Sequence, residues 1–422
     1  MQAIVVGGGI GGLTTALALR EAGVDATVYE AVAEVRSLGV GINLLPHAVA
    51  VLEGLGLLDA LAALGIETKE LIFFSKHGKE IWREARGLAA GYPTPQFSLH
   101  RGAFQSLLLK TATERLGGTR IRTGMAYRRH ALRADGGVSA WFEDRRTGRT
   151  VGPVEADVLI GADGIHSSVR AGFYPNEGPP RWSGAVLWRA AIEAEPFLSG
   201  RSMIMAGHAD QKLVVYPISE AARRRGRSLT NWIAELRLGA PGDPAPSRED
   251  WNRPARFEDF MPRFRDWNFD WLDFPALAAM TPEAFEFPMV DRDPVPAWSF
   301  SAATLLGDAA HPMYPVGSNG ASQAILDARA LAAALASAPK DIPSALKAYE
   351  SERLPATAAI VAANRKQGPE EVMTIVEARA PNGFDRLEDV VSREELETIA
   401  AKYKQVAGFD KASVAKVAPT RN

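Results

Sequence analysis

The chain has 422 residues, with 48 basic side chains against 50 acidic ones and no cysteine. That length exceeds one simple core and predicts two domains or one interwoven α/β unit, while the balanced charge excludes an electrostatic footprint for nucleic acid. The missing cysteines exclude disulfides, thiolate metal sites, iron–sulfur clusters and cysteine nucleophiles, and they suit a reducing cytoplasm.

In chain order, 3–6 is a short apolar run that ends in glycines, the pattern of a buried parallel strand. No basic segment precedes it, as a signal peptide would need, and no later run reaches the roughly 18 apolar residues of a membrane span. Leu13, Ala16, Leu17 and Leu19 mark a helix that stops at Gly23, and 26–29 is the next strand. Pro46 opens a helix to Leu55, His77-Gly78 turns a hairpin between 71–75 and 80–82, and 101–115 is helical. The stretch 121–143 alternates as antiparallel strands with Gly136-Gly137 between them, and 157–160 returns to a buried strand. Strands at 186–192, 202–205, 212–218 and 229–236 predict a separate sheet, and an Ala- and Leu-rich helix follows Gly320. The expected layout is a discontinuous Rossmann-like domain (1–183 and 299–368), an inserted mixed-sheet substrate domain (184–298) and a helical carboxy-terminal tail (369–422). The run Arg223-Arg224-Arg225-Gly226-Arg227 reads as a solvated turn between strands, with anion steering as the alternative.

The glycines after the first strand carry chemistry. Gly7 permits a tight turn, Gly9 lets a pyrophosphate approach the backbone, and Gly12 lets the helix lie close to the strand. Glu30, 18 positions after Gly12 and followed by Ala31, stands where a dinucleotide fold sets an acid against ribose hydroxyls. Asp163-Gly164 follows the strand at 157–160, where the acid either serves the ligand or caps the helix beginning near Ser167. Gly307-Asp308 follows a third strand and leads into Ala309-Ala310-His311-Pro312 and the Gly320 helix.

Three such motifs in this order resemble the class A flavoprotein monooxygenases, the aromatic hydroxylases of the para-hydroxybenzoate and salicylate type. The resemblance implies FAD, with Asp163 in the second motif and Asp308 bonding the ribityl chain. It also implies that Pro315 lies over the reacting face of the ring, and that the backbone from Gly317 through Gly320 and Ala321 to Ser322 wraps the pyrimidine end. Arg36, just before Gly39-Val40-Gly41-Ile42, matches a position that approaches the adenosine half of FAD, Gly41 is a further candidate for cofactor binding, and Arg101 matches a position near the ribityl phosphate; surface ion pairing is the alternative for both arginines. Leu187-Trp188-Arg189, Asp250-Trp251-Asn252-Arg253 and Phe287-Pro288-Met289-Val290-Asp291-Arg292-Asp293-Pro294 resemble the phenazine hydroxylases of pyocyanin synthesis in particular.

The implied activity is hydroxylation of an aromatic or heteroaromatic, phenazine-like and carboxylated small molecule through a flavin hydroperoxide. It consumes molecular oxygen and NADH or NADPH, with NADH favoured. Pro315, Tyr216, His208, Arg189 and Trp188 are the candidate catalytic residues, Tyr216 and His208 as general bases; packing is the alternative for each of the four on the substrate sheet. The seven histidines include no i, i+4 pair, so no metal site is expected, and His311 is assigned to turn structure. A cytoplasmic monomer or homodimer acting on a small aromatic substrate is the resulting picture. The alternatives are an FAD-dependent oxidase or reductase of a non-aromatic substrate, and a hydroxylase of a simple phenol or hydroxybenzoate.

Overall fold

The computed structural model describes residues 1–34, 40–247, 250 and 253–418. Arg36, Trp251 and Asn252 lie outside the described residues.

The apolar start forms the strand Gln2–Val6, buried from Ala3 onward. It sits in the middle of a five-stranded sheet in the order Ala303–Leu305, Val158–Gly161, Gln2–Val6, Asp25–Glu30, Ile121–Thr123, and every pairing is parallel. The helix Ile10–Glu21 is apolar on nearly all sides because the long helix Gly320–Ser337 packs on it as well as the sheet. On the other face lies an antiparallel meander, Met125–Leu132, Val138–Asp144 and Thr150–Ala156, whose Phe142 stacks on Tyr29 with centroids 4.1 Å apart. The alternation at 121–143 thus spans two different sheets. Gly124, at φ +75°, separates the parallel edge strand Ile121–Thr123 from the first meander strand, a break that a period of two does not reveal.

The second sheet has seven strands in the order Phe285–Asp291, Arg181–Ala194, Ser228–Arg237, Gln211–Pro217, Ser202–His208, Glu70–Phe74, Glu80–Ala85. Its last two strands come from before residue 184, and Ser202–His208 pairs with Glu70–Phe74 in parallel. One face carries Trp188, Trp232, Ile204 and Leu213 against the helices Phe257–Phe264 and Phe274–Ala279. Trp232, Phe260, Phe264 and Phe274 are fully buried there, each contributing on the order of 2 kcal/mol by leaving water. The opposite face carries Met203, Met205 and Tyr216, and the carboxy-terminal helices Glu371–Arg379 and Arg393–Val406 cover part of it through Val372, Met373, Val376 and Leu396.

Candidate active site

The glycine loop between the first strand and first helix has the shape of an anion cradle. Gly7 has φ +109°, and a β-carbon there would lie 2.3 Å from the Ala162 carbonyl oxygen. A β-carbon on Gly12 would lie 2.0 Å from the Gly7 carbonyl oxygen, so helix and strand are as close as glycine allows. Gly9 differs, because a β-carbon there would meet nothing within 4 Å. It caps the helix without a side-chain acceptor, which leaves the first-turn amides facing that open space. At the end of the second strand Glu30 accepts from the Gly8 amide at 2.6 Å and, across Ala31, from the Val32 amide at 2.8 Å. Gln105, which sequence reasoning missed, ties the helix Arg101–Leu116 to the loop through the Gly8 carbonyl at 2.9 Å.

The second acidic motif is spent on the helix after it. Asp163 accepts from the Ser167 hydroxyl at 2.5 Å and from the Ser168 and Val169 amides at 2.7 and 3.2 Å. The capping alternative therefore describes its side chain in the structure, although burial outweighs these bonds and raises its pKa. Asp308 is different. Its side chain is accessible to solvent, yet so much protein surrounds it that burial raises its pKa against the opposing charges of His311 and Arg101. An accessible carboxylate surrounded by so much protein, with a partly buried arginine close enough to feel its charge, is what a polyhydroxylated ligand chain would need. Burial lowers the pKa of Arg101 while Asp308 pulls it upward, so these groups answer each other electrostatically.

Beyond Asp308 the chain turns through Pro315, whose ring is exposed between the buried Tyr314 and Val316. Gly317 and Ser318 both have left-handed backbone, at φ +67° and +57°. The helix then starts at Gly320, so the amides of Gly320, Ala321 and Ser322 have no partner within it. The Ser322 hydroxyl is fully buried and accepts from the Leu45 amide at 3.1 Å, which leaves only the backbone of this residue to offer a ligand. Gly41 closes this end from the other side: its amide donates to Asn231 at 2.7 Å, and a β-carbon on it would lie 2.4 Å from the Tyr216 ring. The nucleotide unit and the seven-stranded sheet touch there.

Strand register sorts the four candidates on that sheet. Arg189 pairs with Ile233, which pairs with Val214, and Tyr216 pairs with Asn231, so Arg189, Tyr216 and Asn231 share the face that meets Gly41. Burial and the like charge of Arg101 push the Arg189 pKa down to about 9, against the pull of Tyr216, which leaves the guanidinium cationic at neutral pH. It lies 5.2 Å from the centroid of the Phe287 ring. Burial raises the pKa of Tyr216, and Asn43 is in hydrogen-bond contact with it. A phenol so placed stays protonated at neutral pH and is not the general base expected of it.

Two candidates fall away. Trp188, one residue before Arg189, faces the other side of the sheet and stacks on Phe260 at 5.2 Å, so it is a core residue. His208 pairs with Gln211, five residues before Tyr216 on the adjoining strand. At about 3.4 Å per residue that puts it roughly 17 Å from the Tyr216 end. It is partly buried beside Glu377, Asp210 and Lys76, away from the cleft. Arg223 and Arg224 pair with Glu220 at 2.7 and 3.1 Å on the short helix Glu220–Arg224, and Arg225 pairs with Glu193 at 2.7 Å. Arg227 pairs with Glu195, so the run is held by local carboxylates.

Behind the Gly307-Asp308 turn, His311 meets Asp327 at 2.5 Å, and Asp327 also accepts from the Gly307 amide at 3.1 Å and from Arg353 at 2.7 Å. Although burial opposes it, the charges of His311 and Arg353 hold Asp327 at about 2. His311 thus braces the turn.

The open space at Gly9, the acid at Glu30 and the accessible carboxylate of Asp308 follow the carboxyl ends of strands Gln2–Val6, Asp25–Glu30 and Ala303–Leu305 of one parallel sheet, with the Gly320 helix next in the chain, an arrangement that suits an extended dinucleotide. The FAD-binding domain family matches residues 1–234 and 291–364. The chain belongs to that family. It is similar to a phenazine 1,6-dicarboxylic acid hydroxylase of Lysobacter antibioticus, 45% identical over 370 residues that cover 87% of this chain and 90% of the relative. A 3-hydroxybenzoate 6-hydroxylase of Klebsiella oxytoca is 29% identical, covering 87% of this chain and 88% of its own. Among solved structures, a substrate complex of salicylate hydroxylase superposes with a TM-score of 0.75 at 22% identity, over 100% of this chain and 98% of that one. The protein is an FAD-dependent aromatic monooxygenase. No helix among its described residues is long and apolar enough to cross a membrane.

Proposed function

We propose that the protein hydroxylates a fused heteroaromatic carboxylate of the phenazine type, drawing electrons from NADH in preference to NADPH. The observation that carries this reading is Arg189, a buried cation on the sheet face that meets Gly41, set against the Phe287 ring. A carboxylate accepts the two parallel N–H donors of a guanidinium well, and such a charge-assisted pair is stronger in a buried setting than in water. The apolar residues Leu187 and Phe287 beside it suit a flat ring system. The 45% identity to an enzyme named for a phenazine dicarboxylic acid supports the same substrate class.

Bound FAD supplies the reducing equivalents taken from the nicotinamide and the activated oxygen. The chain supplies position. Gly9 and the first-turn amides after it receive the pyrophosphate, with Gly7 and Gly12 allowing the turn and the close helix–strand packing that present them; Glu30 receives the ribose, Asp308 and Arg101 the ribityl phosphate region, and the amides from Gly317 to Ser322 the pyrimidine end. Arg189 holds the substrate carboxylate so that one ring carbon faces Pro315, and the Tyr216 hydroxyl donates to an oxygen of substrate or product. Wrapping by the sheet and the carboxy-terminal helices excludes water, which protects activated oxygen from release as peroxide. Where the oxygen enters at the carbon bearing the carboxylate, loss of carbon dioxide restores aromaticity without a protein base.

The test measures NADH and NADPH oxidation with a panel of phenazine carboxylates, hydroxybenzoates, neutral phenols, amines and polyprenyl compounds, while labelled dioxygen is traced into product. Labelled hydroxyphenazine with NADH is the expected result. Label in a hydroxybenzoate product alone moves the substrate to the simple phenols, and oxidation of an amine or polyprenyl substrate without label in the product makes the enzyme an oxidase.

A further inference from the structure

The loop that presents Pro315 is held from behind by the carboxy-terminal helices, beyond the residues that the family match covers. Tyr403, on the helix Arg393–Val406, is buried, and its hydroxyl accepts from Asn319 Nδ2 at 2.8 Å and donates to Asn364 Oδ1 at 2.8 Å, with the Val316 carbonyl oxygen 3.2 Å away. Asn364 in turn donates to the Tyr314 carbonyl at 3.0 Å. The phenol and two buried amides therefore hold backbone on both sides of Pro315. The same ring fills the space under Gly317, where a β-carbon would lie 2.1 Å from the Tyr403 hydroxyl oxygen, and it lies against Gly368. Two consecutive left-handed residues are thus held in place: Gly317, which adopts this conformation freely, and Ser318, a non-glycine residue that does not favour it on its own. Two residues past Gly368, Glu370 is buried and pairs with Lys212 of the substrate sheet, and Lys212 also meets Glu235 at 3.1 Å. The tail is locked to the Pro315 loop by Tyr403 and to the sheet by Glu370.

We propose that Tyr403, with Asn364 and Asn319, is a positioning residue that sets the Pro315–Ser318 loop against the flavin ring and thereby governs how much reduced flavin is spent on product and how much on peroxide. This rests on the reading that places the ring beside Pro315. Loss of the hydroxyl removes the donor that Tyr403 offers Asn364 Oδ1 and leaves Asn319 Nδ2 only the longer bond to the Gly317 carbonyl at 3.4 Å, which favours other loop conformations. The adenosine end, held at Gly7–Gly12, is remote from the change.

The decisive variant is Tyr403→Phe, purified with FAD and compared with Leu396→Ala, which loosens the same helix and keeps the phenol. Phenazine 1,6-dicarboxylate and NADH are the probes. In Tyr403→Phe we expect FAD affinity within about threefold of wild type, because most of the cofactor's contacts are untouched, and peroxide rising at the expense of product. Amide hydrogen exchange across 314–319 is expected to quicken roughly tenfold, with a shifted visible spectrum and midpoint potential of the bound flavin. Leu396→Ala is expected to lower the melting temperature without these changes. The proposal is overturned if folded Tyr403→Phe keeps wild-type exchange, flavin potential and coupling, or if Leu396→Ala reproduces every effect. Should Tyr403→Phe not fold, Asn364→Ala, which removes the donor to Tyr314, is judged by the same criteria. If the wild type oxidises NADH yet leaves phenazine 1,6-dicarboxylate untouched, the substrate assignment fails, while exchange and flavin potential still decide the role of Tyr403.

Discussion

Adding one methyl group at Gly9, and the same group at Gly12, separates cofactor contact from chain packing. At Gly12 the new carbon would sit 2.0 Å from the Gly7 carbonyl oxygen, and that atom is backbone, so helix and strand must part by more than an ångström. Overpacking of this kind costs about 1–3 kcal/mol, and Gly12→Ala is expected to lower the melting temperature of the FAD-free protein by a few degrees. At Gly9 nothing lies within 4 Å, and the backbone, at φ −75° and ψ −177°, is one that alanine adopts freely. Gly9→Ala should therefore leave the FAD-free protein within about 0.5 kcal/mol of wild type. The methyl group would occupy the position the pyrophosphate approaches, weakening one or two charge-assisted amide bonds worth about 1.5–3 kcal/mol. FAD affinity should then fall roughly ten- to a hundredfold. Differential scanning fluorimetry of the stripped protein and quenching of FAD fluorescence read the two effects separately. Wild-type FAD affinity in Gly9→Ala would refute the placement of the pyrophosphate, and unchanged stability in Gly12→Ala would refute the packing argument.

Glu30→Ala removes an acceptor for the ribose and also the brace on the Gly8 amide, so FAD affinity measured by the same quenching should drop about ten- to a hundredfold. Arg189→Leu should raise KM for a phenazine carboxylate by roughly one to two orders of magnitude and leave KM for a neutral phenazine nearly unchanged; equal effects on both would show that no carboxylate is held there. His47 is fully buried, and burial and then Arg353 lower its pKa to about 3. The unfolded chain, titrating near 6.5, binds the proton more readily, so stability from this group is intact above that pH and declines as the pH falls from 6.5 towards 3. The loss reaches about 2 kcal/mol at pH 5. His47→Gln should flatten the melting temperature against pH between 7 and 5, and an unaltered slope would remove His47 as its source.

What the sequence disclosed was local. The turns at Gly7–Gly12, Asp163-Gly164 and Gly307-Asp308 each complete a strand's exit within a few residues, so spacing and residue type were enough to find them. Whether Asp163 points to a ligand or to its own helix was not legible, because both uses need an acid in the same place. The substrate sheet posed a different problem. Trp188 and Arg189 are neighbours in the chain but face opposite sides of the sheet, and which side meets the cofactor depends on a contact between Gly41 and Asn231 that spans 190 positions. His208 and Tyr216 occupy strands of similar composition, and only register shows that they lie at different ends. The strands Glu70–Phe74 and Glu80–Ala85 read as a hairpin, which they are, but no local signal says which sheet they extend. Tyr403 carries no motif, and its meaning appears only when a helix from the tail arrives under Gly317.

The parallel sheet also dictates an order of events during synthesis. Its strands are contributed by residues 2–6, 25–30, 121–123, 158–161 and 303–305, and the last of these lies at one edge, beside the strand that ends in the second acidic turn. Until some three-quarters of the chain has left the ribosome, the cleft has its adenosine half but neither Asp308 nor the Gly320 helix. A nascent chain in this condition offers the strand Val158–Gly161 as an open apolar edge, liable to pair with another chain. Contacts of such long sequence separation form slowly, so the fold is completed late and cofactor loading comes after it. Each molecule thus passes through a period in which it can aggregate and cannot yet turn over, and cellular yield of active enzyme should depend on chaperone supply and free FAD at that stage.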